Sequence, residues 1–183
     1  MMNYFLLPRF YSLIVACCLA FVFAVEAEKT GAADWPMWRQ NAGRTGVTAE
    51  SLPETHALKW VRHLPEISPA YHSSRLQFDA GYEPIVADGK LLVASSRNDC
   101  VTAYEAATGR ELWVYQTEGP VRLAPAVWKN AVCFGSDDGW FYCVDLSTGH
   151  LRWKHQAVPN ERRLLGNRRL ISVWPVRGGP VVS

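Results

Sequence analysis

From residue 84 onward the apolar positions fall in short runs broken by Asp, Asn, Gly or Ser-Thr-Gly. Ile85-Val86-Ala87, Leu91-Leu92-Val93-Ala94, Val101-Thr102-Ala103-Tyr104 and Leu112-Trp113-Val114-Tyr115 come first. Ala126-Val127-Trp128, Ala131-Val132-Cys133-Phe134, Phe141-Tyr142-Cys143-Val144 and Leu151-Arg152-Trp153 follow. Runs this short, rich in β-branched and aromatic residues and bounded by turn formers, predict strands. The expected strands cover 84–88, 90–96, 100–106 and 111–117, then 125–129, 131–136, 140–145 and 150–156. Asp88-Gly89 and Asp137-Asp138-Gly139 supply the positive φ of tight hairpins, and Thr108-Gly109 and Thr148-Gly149 supply the turn into each last strand. Leu91 to Val93 and Val132 to Phe134 are consecutive apolar residues, so these strands must be covered on both faces.

The two groups of four strands are one unit written twice. Pro84 matches Pro125 and Ser95 matches Ser136, a shift of 41; Thr108-Gly109 matches Thr148-Gly149 and Trp113 matches Trp153, a shift of 40. A repeat of this period is a unit that stacks on copies of itself. Stacked four-stranded blades around an axis cover both faces, so the chain is expected to be all-β and part of a β-propeller.

The flanking segments depart from the repeat. Residues 34–47 hold Trp35, Pro36 and Trp38 without helical or strand period, and read as an ordered opening segment pinned by its aromatics; a ligand contact is the alternative. Residues 56–64 alternate and place Trp60 where Trp113 and Trp153 stand, which reads as the last strand of an incomplete earlier unit. Residues 65–82 read as a loop. Residues 159–177 carry Arg162, Arg163, Arg168, Arg169 and Arg177 against Glu161, and read as a solvated insertion or a receiver of anions. Gly178-Gly179-Pro180-Val181-Val182 opens another unit and then the sequence stops, so it reads as a fragment of a longer protein.

Ala103-x-Glu105-x-x-Thr108-Gly109-x-x-x-Trp113 and Cys143-x-Asp145-x-x-Thr148-Gly149-x-x-x-Trp153 resemble the repeat motif of PQQ-type (pyrroloquinoline-quinone-like) β-propellers, Ala-x-Asp-x-x-Thr-Gly-x-x-x-Trp. Residues 34–46 also resemble the opening segment of secreted propellers of this kind. The resemblance implies that the Trp packs between neighbouring blades, which makes Trp60, Trp113 and Trp153 structural, together with Glu105, Thr108, Gly109, Asp145, Thr148 and Gly149. Enzymes of the family hold the quinone and a calcium ion at the axis, with a general-base Asp and often a vicinal Cys pair. None of these carries over: the sole Cys-Cys, Cys17-Cys18, lies in the leader, and no acid matches the base. No cofactor site is therefore identified; PQQ and calcium enter only if the chain is part of such an enzyme.

Composition narrows the picture further. The chain has 183 residues, 49% hydrophobic and 20% charged, so it is globular rather than disordered. A net charge of +2 is too small to imply a nucleic acid partner. Arg9 followed by the uncharged run from Phe10 to Val25, then Val25-Glu26-Ala27, reads as a signal peptide cleaved near Ala27. The alternatives are an uncleaved anchor, or a lipoprotein through Ile14-Val15-Ala16-Cys17. Once the leader is removed no transmembrane segment is expected, and the product is periplasmic or extracellular. The mature chain keeps Cys100, Cys133 and Cys143 with no Cys-x-x-Cys. Cys133 and Cys143 flank one hairpin and stand opposite each other, as free thiols or as a cross-strand disulfide. Asp137-Asp138-Gly139 reads as a turn, with calcium binding as the alternative, and the histidines show no metal-ligand spacing.

The expected organisation is a signal peptide (1–27), a linker with the ordered opening segment (28–56), and propeller blades (57–183). The blades comprise 83–117 and 124–156, the insertion 159–177 and the start of a further blade at 178–183. The leading functional expectation is a non-enzymatic exported scaffold that binds a protein partner or the remaining blades. The alternative is the amino-terminal part of a quinoprotein alcohol or sugar dehydrogenase.

Overall fold

A computed structural model describes residues 33–166 and 168–183; the expected signal peptide, with its expected cleavage site at Ala27, lies outside the described residues. Two four-stranded antiparallel sheets dominate it. The first contains β1 (Ile85–Ala87), β2 (Lys90–Ser95), β3 (Cys100–Glu105) and β4 (Glu111–Gln116), in that spatial order. The second repeats the order with β5 (Ala126–Trp128), β6 (Ala131–Gly135), β7 (Trp140–Asp145) and β8 (Leu151–Gln156). The expected strands are present with ends trimmed by a residue or two. At Asp88 (φ 48°) and Gly89 (φ 68°) both turn residues of a tight hairpin take the left-handed conformation. Both sheets carry a register shift at the same place, between Ala103 and Tyr104 and between Cys143 and Val144.

The core lies between the two blades. Ile85, Leu92, Ala103 and Trp113 share one face of the first sheet by register. Val127, Val132 and Val144 share one face of the second. Both rows belong to a single buried cluster. Tyr115, two residues beyond Trp113, packs its ring 5.9 Å from Phe134 and 5.6 Å from Tyr142. Neither blade could bury these rows alone, which is the physical content of the repeat.

Two segments differ from the sequence reading. Residues 56–64 form no strand, and no sheet partner for them lies among the described residues; Trp60 nonetheless docks through its indole N–H. The arginine-rich insertion contains a hairpin, β9 (Arg163–Gly166) against β10 (Arg169–Ser172), rather than an unstructured loop. Residues 178–183 form no strand.

The opening segment bridges both inner strands. Trp35 and Val86 exchange backbone bonds of 2.7 and 3.0 Å, and the Pro36 carbonyl accepts from the Val127 N–H at 2.7 Å. Met37 is buried, and Trp38 and Trp35 pack against the core cluster.

Candidate functional site

Each sheet has two ends, and the chemistry divides between them. At the Thr-Gly end the motif residues assemble pairwise across units. Trp60 donates its indole N–H to the Ala106 carbonyl at 3.0 Å, and Trp113 donates to the Leu146 carbonyl at 3.0 Å. The indoles cover Gly109 and Gly149, both at φ +71°; a Cβ there would stand 2.7 Å from the ring of Trp60 or Trp113. Glycine is thus required twice over, by conformation and by close approach. Trp153 has no following turn to cover among the described residues; it lies against Phe141, ring centroids 6.1 Å apart, and is 47% exposed.

The acidic motif residues differ from each other. Asp145 Oδ1 accepts the N–H groups of Ser147 (2.9 Å) and Thr148 (3.0 Å), while Oδ2 accepts Arg152 Nη2 at 2.6 Å. Arg152 above all, with those N–H groups, brings its pKa down to about 2. Glu105 is one methylene longer; it accepts the Thr108 hydroxyl at 2.5 Å and Arg110 at 3.4 Å, which also lowers its pKa. Arg62, which the sequence did not single out, donates Nε to the Gly109 carbonyl at 2.7 Å and lies over Tyr104.

The opposite end carries a buried ionic network. Arg122 donates Nε to Asp137 Oδ2 and Nη1 to Asp79 Oδ2, both at 2.6 Å, and Nη1 also reaches the Ser68 carbonyl at 2.7 Å. Arg177 takes both oxygens of Asp137 at 2.8 and 2.9 Å. Asp79 also receives the Ala70 N–H. The side chains of Arg122, Asp79 and Asp137 are 1–2% exposed. Two carboxylates balance two guanidinium groups, and paired forks with satisfied oxygens offset the desolvation that an isolated charge would suffer. The network joins the 65–82 loop, the β4–β5 connection, the β6–β7 turn and the segment after β10.

Around it lie two cavities of about 400 and 410 Å³ that share His72. The second is lined by Ser68, His72, Arg97, Arg168 and Arg169. Arg169 is held by the Ser96 carbonyl at 2.7 Å and by Asp99 Oδ2 at 2.5 Å. Burial raises the Asp99 pKa despite Arg169, and its buried Oδ1 has no hydrogen-bond partner among the described residues.

This donor set does not fit a calcium ion. Both oxygens of Asp137 are taken by arginines. Asp138 accepts the N–H groups of Trp140 and Glu118 and the Tyr142 hydroxyl, so the Asp-Asp-Gly sequence serves as a braced turn. Among the described residues no group of three metal-ligating side chains converges. Asp99, with one unpartnered oxygen beside an arginine, is a single donor where a hard cation takes six or more.

The register places Cys133 opposite Cys143. Burial, then the Cys143 thiol beside it, pushes the Cys133 thiol up to about 12.

Comparison with known proteins fixes the kinship. The family profile PQQ_2, described as "Outer membrane protein assembly factor BamB", matches residues 22–178. The chain belongs to this PQQ-repeat family. Among curated relatives, the dehydrogenase subunit of the quinone-type alcohol dehydrogenase of Gluconacetobacter polyoxogenes is 33% identical over 111 residues, covering 55% of this chain and 14% of that protein. The quinoprotein ethanol dehydrogenase of Pseudomonas aeruginosa is 26% identical over 159 residues, covering 75% of this chain and 25% of that protein. The PQQ-repeat chain therefore spans a quarter or less of the length of these relatives. The crystal structure of the quinohemoprotein alcohol dehydrogenase from Comamonas testosteroni aligns over 80% of this chain and 23% of its own, with a TM-score of 0.54 and 24% identity. That likeness supports the propeller fold alone.

The sequence did not reveal the ionic network, although one signal was available. Arg122 interrupts the apolar stretch Val121-Arg122-Leu123-Ala124-Pro125, and a charge within such a stretch calls for buried counter-ions. Its partners, 43 residues earlier and 15 later, follow no local pattern.

Proposed function

We propose that residues 33–183 supply blades of an exported PQQ-type propeller and act in it as a non-catalytic scaffold. Arg122 and Arg177 bind Asp79 and Asp137 into a closed, charge-balanced brace. That brace carries the reading: Asp79 and Asp137 are committed to arginines, so neither of these two carboxylates is poised to take a substrate proton. Partners of the scaffold are further blades or another protein, met through the exposed face that holds Trp153 or through the arginine-lined cavity.

A second reading is favoured by the curated relatives, which are quinone-dependent dehydrogenases by name. In it these blades form the wall of a quinoprotein alcohol dehydrogenase whose catalytic residues lie elsewhere.

One experiment separates the two. The product of the full reading frame is incubated with PQQ and calcium and assayed for dye reduction with ethanol. The scaffold reading expects no PQQ-dependent reduction. Any PQQ-dependent turnover would sink it and favour the second reading, and turnover that survives Asp99→Asn would place the catalytic acid outside these blades.

A further inference from the structure

We propose that Cys133 and Cys143 are a dithiol site that oxidises to a cross-strand disulfide within the second blade. The argument is one of register and hydrogen bonding. β6 and β7 pair without a bulge, and Cys133 faces Cys143. Ser136 donates its N–H to the Trp140 carbonyl, and Leu146 donates to the Asn130 carbonyl. Pairs 136–140 and 130–146 are thus hydrogen-bonded pairs. In an antiparallel ladder such pairs alternate with non-bonded ones. Counting inward by two from either end makes 132–144 and 134–142 bonded, and 133–143 a non-hydrogen-bonded pair.

That distinction decides the chemistry. Opposed Cα atoms in a non-hydrogen-bonded pair are about 4.5 Å apart, against about 5.5 Å in a bonded pair, and their side chains are closer. A disulfide needs Cα atoms roughly 4.4–6.8 Å apart. The corresponding pair of the first blade is Leu92 opposite Ala103, so the second blade has a thiol at both positions of one pair. The third cysteine is elsewhere: Cys100 pairs across with Ser95, and its Sγ lies 3.8 Å from Thr102 Oγ1.

The step balances with a small-molecule disulfide as oxidant. Cys133 is the half-buried member; burial and the neighbouring Cys143 keep its thiolate scarce, so the exchange is slow at neutral pH. It is run at alkaline pH, where the thiolate attacks and cleaves the oxidant's S–S bond to give a mixed disulfide and one free thiol. The buried Cys143 then displaces the second thiol and closes the bond. Two protein thiols lose two electrons and two protons, and one external disulfide becomes two thiols.

The test uses the full chain and does not depend on whether the protein is exported or is an enzyme. The protein is exposed to oxidised glutathione and then denatured with N-ethylmaleimide present. It is digested between residues 133 and 143, and the peptides are weighed. The expected product is a Cys133–Cys143 linked pair, lighter by two hydrogen atoms than the two thiol peptides, with Cys100 alkylated. The Cys100→Ser variant should give the same link. Alkylation of both Cys133 and Cys143, glutathione retained on Cys133, or a link to Cys100 would each overturn the proposal.

Discussion

β4 and β8 are the same strand of the same unit, and their fates differ. In β4 Trp113 is 9% exposed and its indole rests on the next blade's Gly149. In β8 the equivalent Trp153 is 47% exposed, and the strand is open along nearly its whole length. Their local sequences, Glu-Leu-Trp-Val-Tyr-Gln and Leu-Arg-Trp-Lys-His-Gln, do not account for this. The difference is the presence of a Thr-Gly turn to cover. A blade strand is stabilised mainly by its neighbour, and only secondarily by its own composition.

The largest effect should come from breaking the closed member of the pair. Trp113→Ala removes an interblade ring and an indole hydrogen bond, and should cost about 4 kcal/mol of stability in urea unfolding of residues 33–183. Trp153→Ala in the same chain should cost well under 1 kcal/mol. Equal losses would contradict the comparison. Next comes the brace at the other end. Arg122→Met leaves Asp79 and Asp137 buried with one cation fewer, at about 3 kcal/mol. Arg122→Met combined with Asp137→Asn should be less harmful than the sum of the two single changes, a coupling read from a double-mutant cycle.

Gly149→Ala should cost about 2 kcal/mol, from a left-handed φ and from displacing the Trp113 indole. Gly109→Ala has the same φ but meets Trp60, which is only half buried, so its loss should be smaller. The smallest effect is electrostatic. The Asp145 pKa lies at about 2 when folded, below its unfolded value of about 3.9. Its contribution is therefore fully present above about pH 4, and fades as pH falls through that window towards 2. Glu105 shifts in the same direction. The urea midpoint should fall between pH 5 and pH 2.5, and Asp145→Asn should flatten part of that slope.

Much of the fold was legible because the signals are local. Asp-Gly turns, the Thr-Gly step and the spacing of Trp113 and Trp153 specify strands and register within each unit. The Cys133–Cys143 pairing followed from the hairpin length alone. What local pattern could not supply was any contact joining distant loops. Arg169 reads as one of several surface arginines, yet it closes on Asp99, 70 residues earlier. The 163–172 hairpin was missed because Leu164, Leu165 and Leu170 sit among arginines and obscure the alternation. Residues 56–64 had the alternation of a strand and lacked only a ladder to join.

The bridge from Trp35 and Pro36 to Val86 and Val127 has a kinetic side. Its partners lie about 50 and 90 residues further along the chain. This segment precedes both inner strands in sequence and can take its place only after both exist, so its closure is among the most non-local backbone pairings of the described residues and belongs late in folding. Until then, the inner edges of two sheets stay open to any other extended chain. Proteolytic loss of the few residues around Trp35 would make that exposure permanent, turning a folding intermediate's brief hazard into a standing tendency to aggregate.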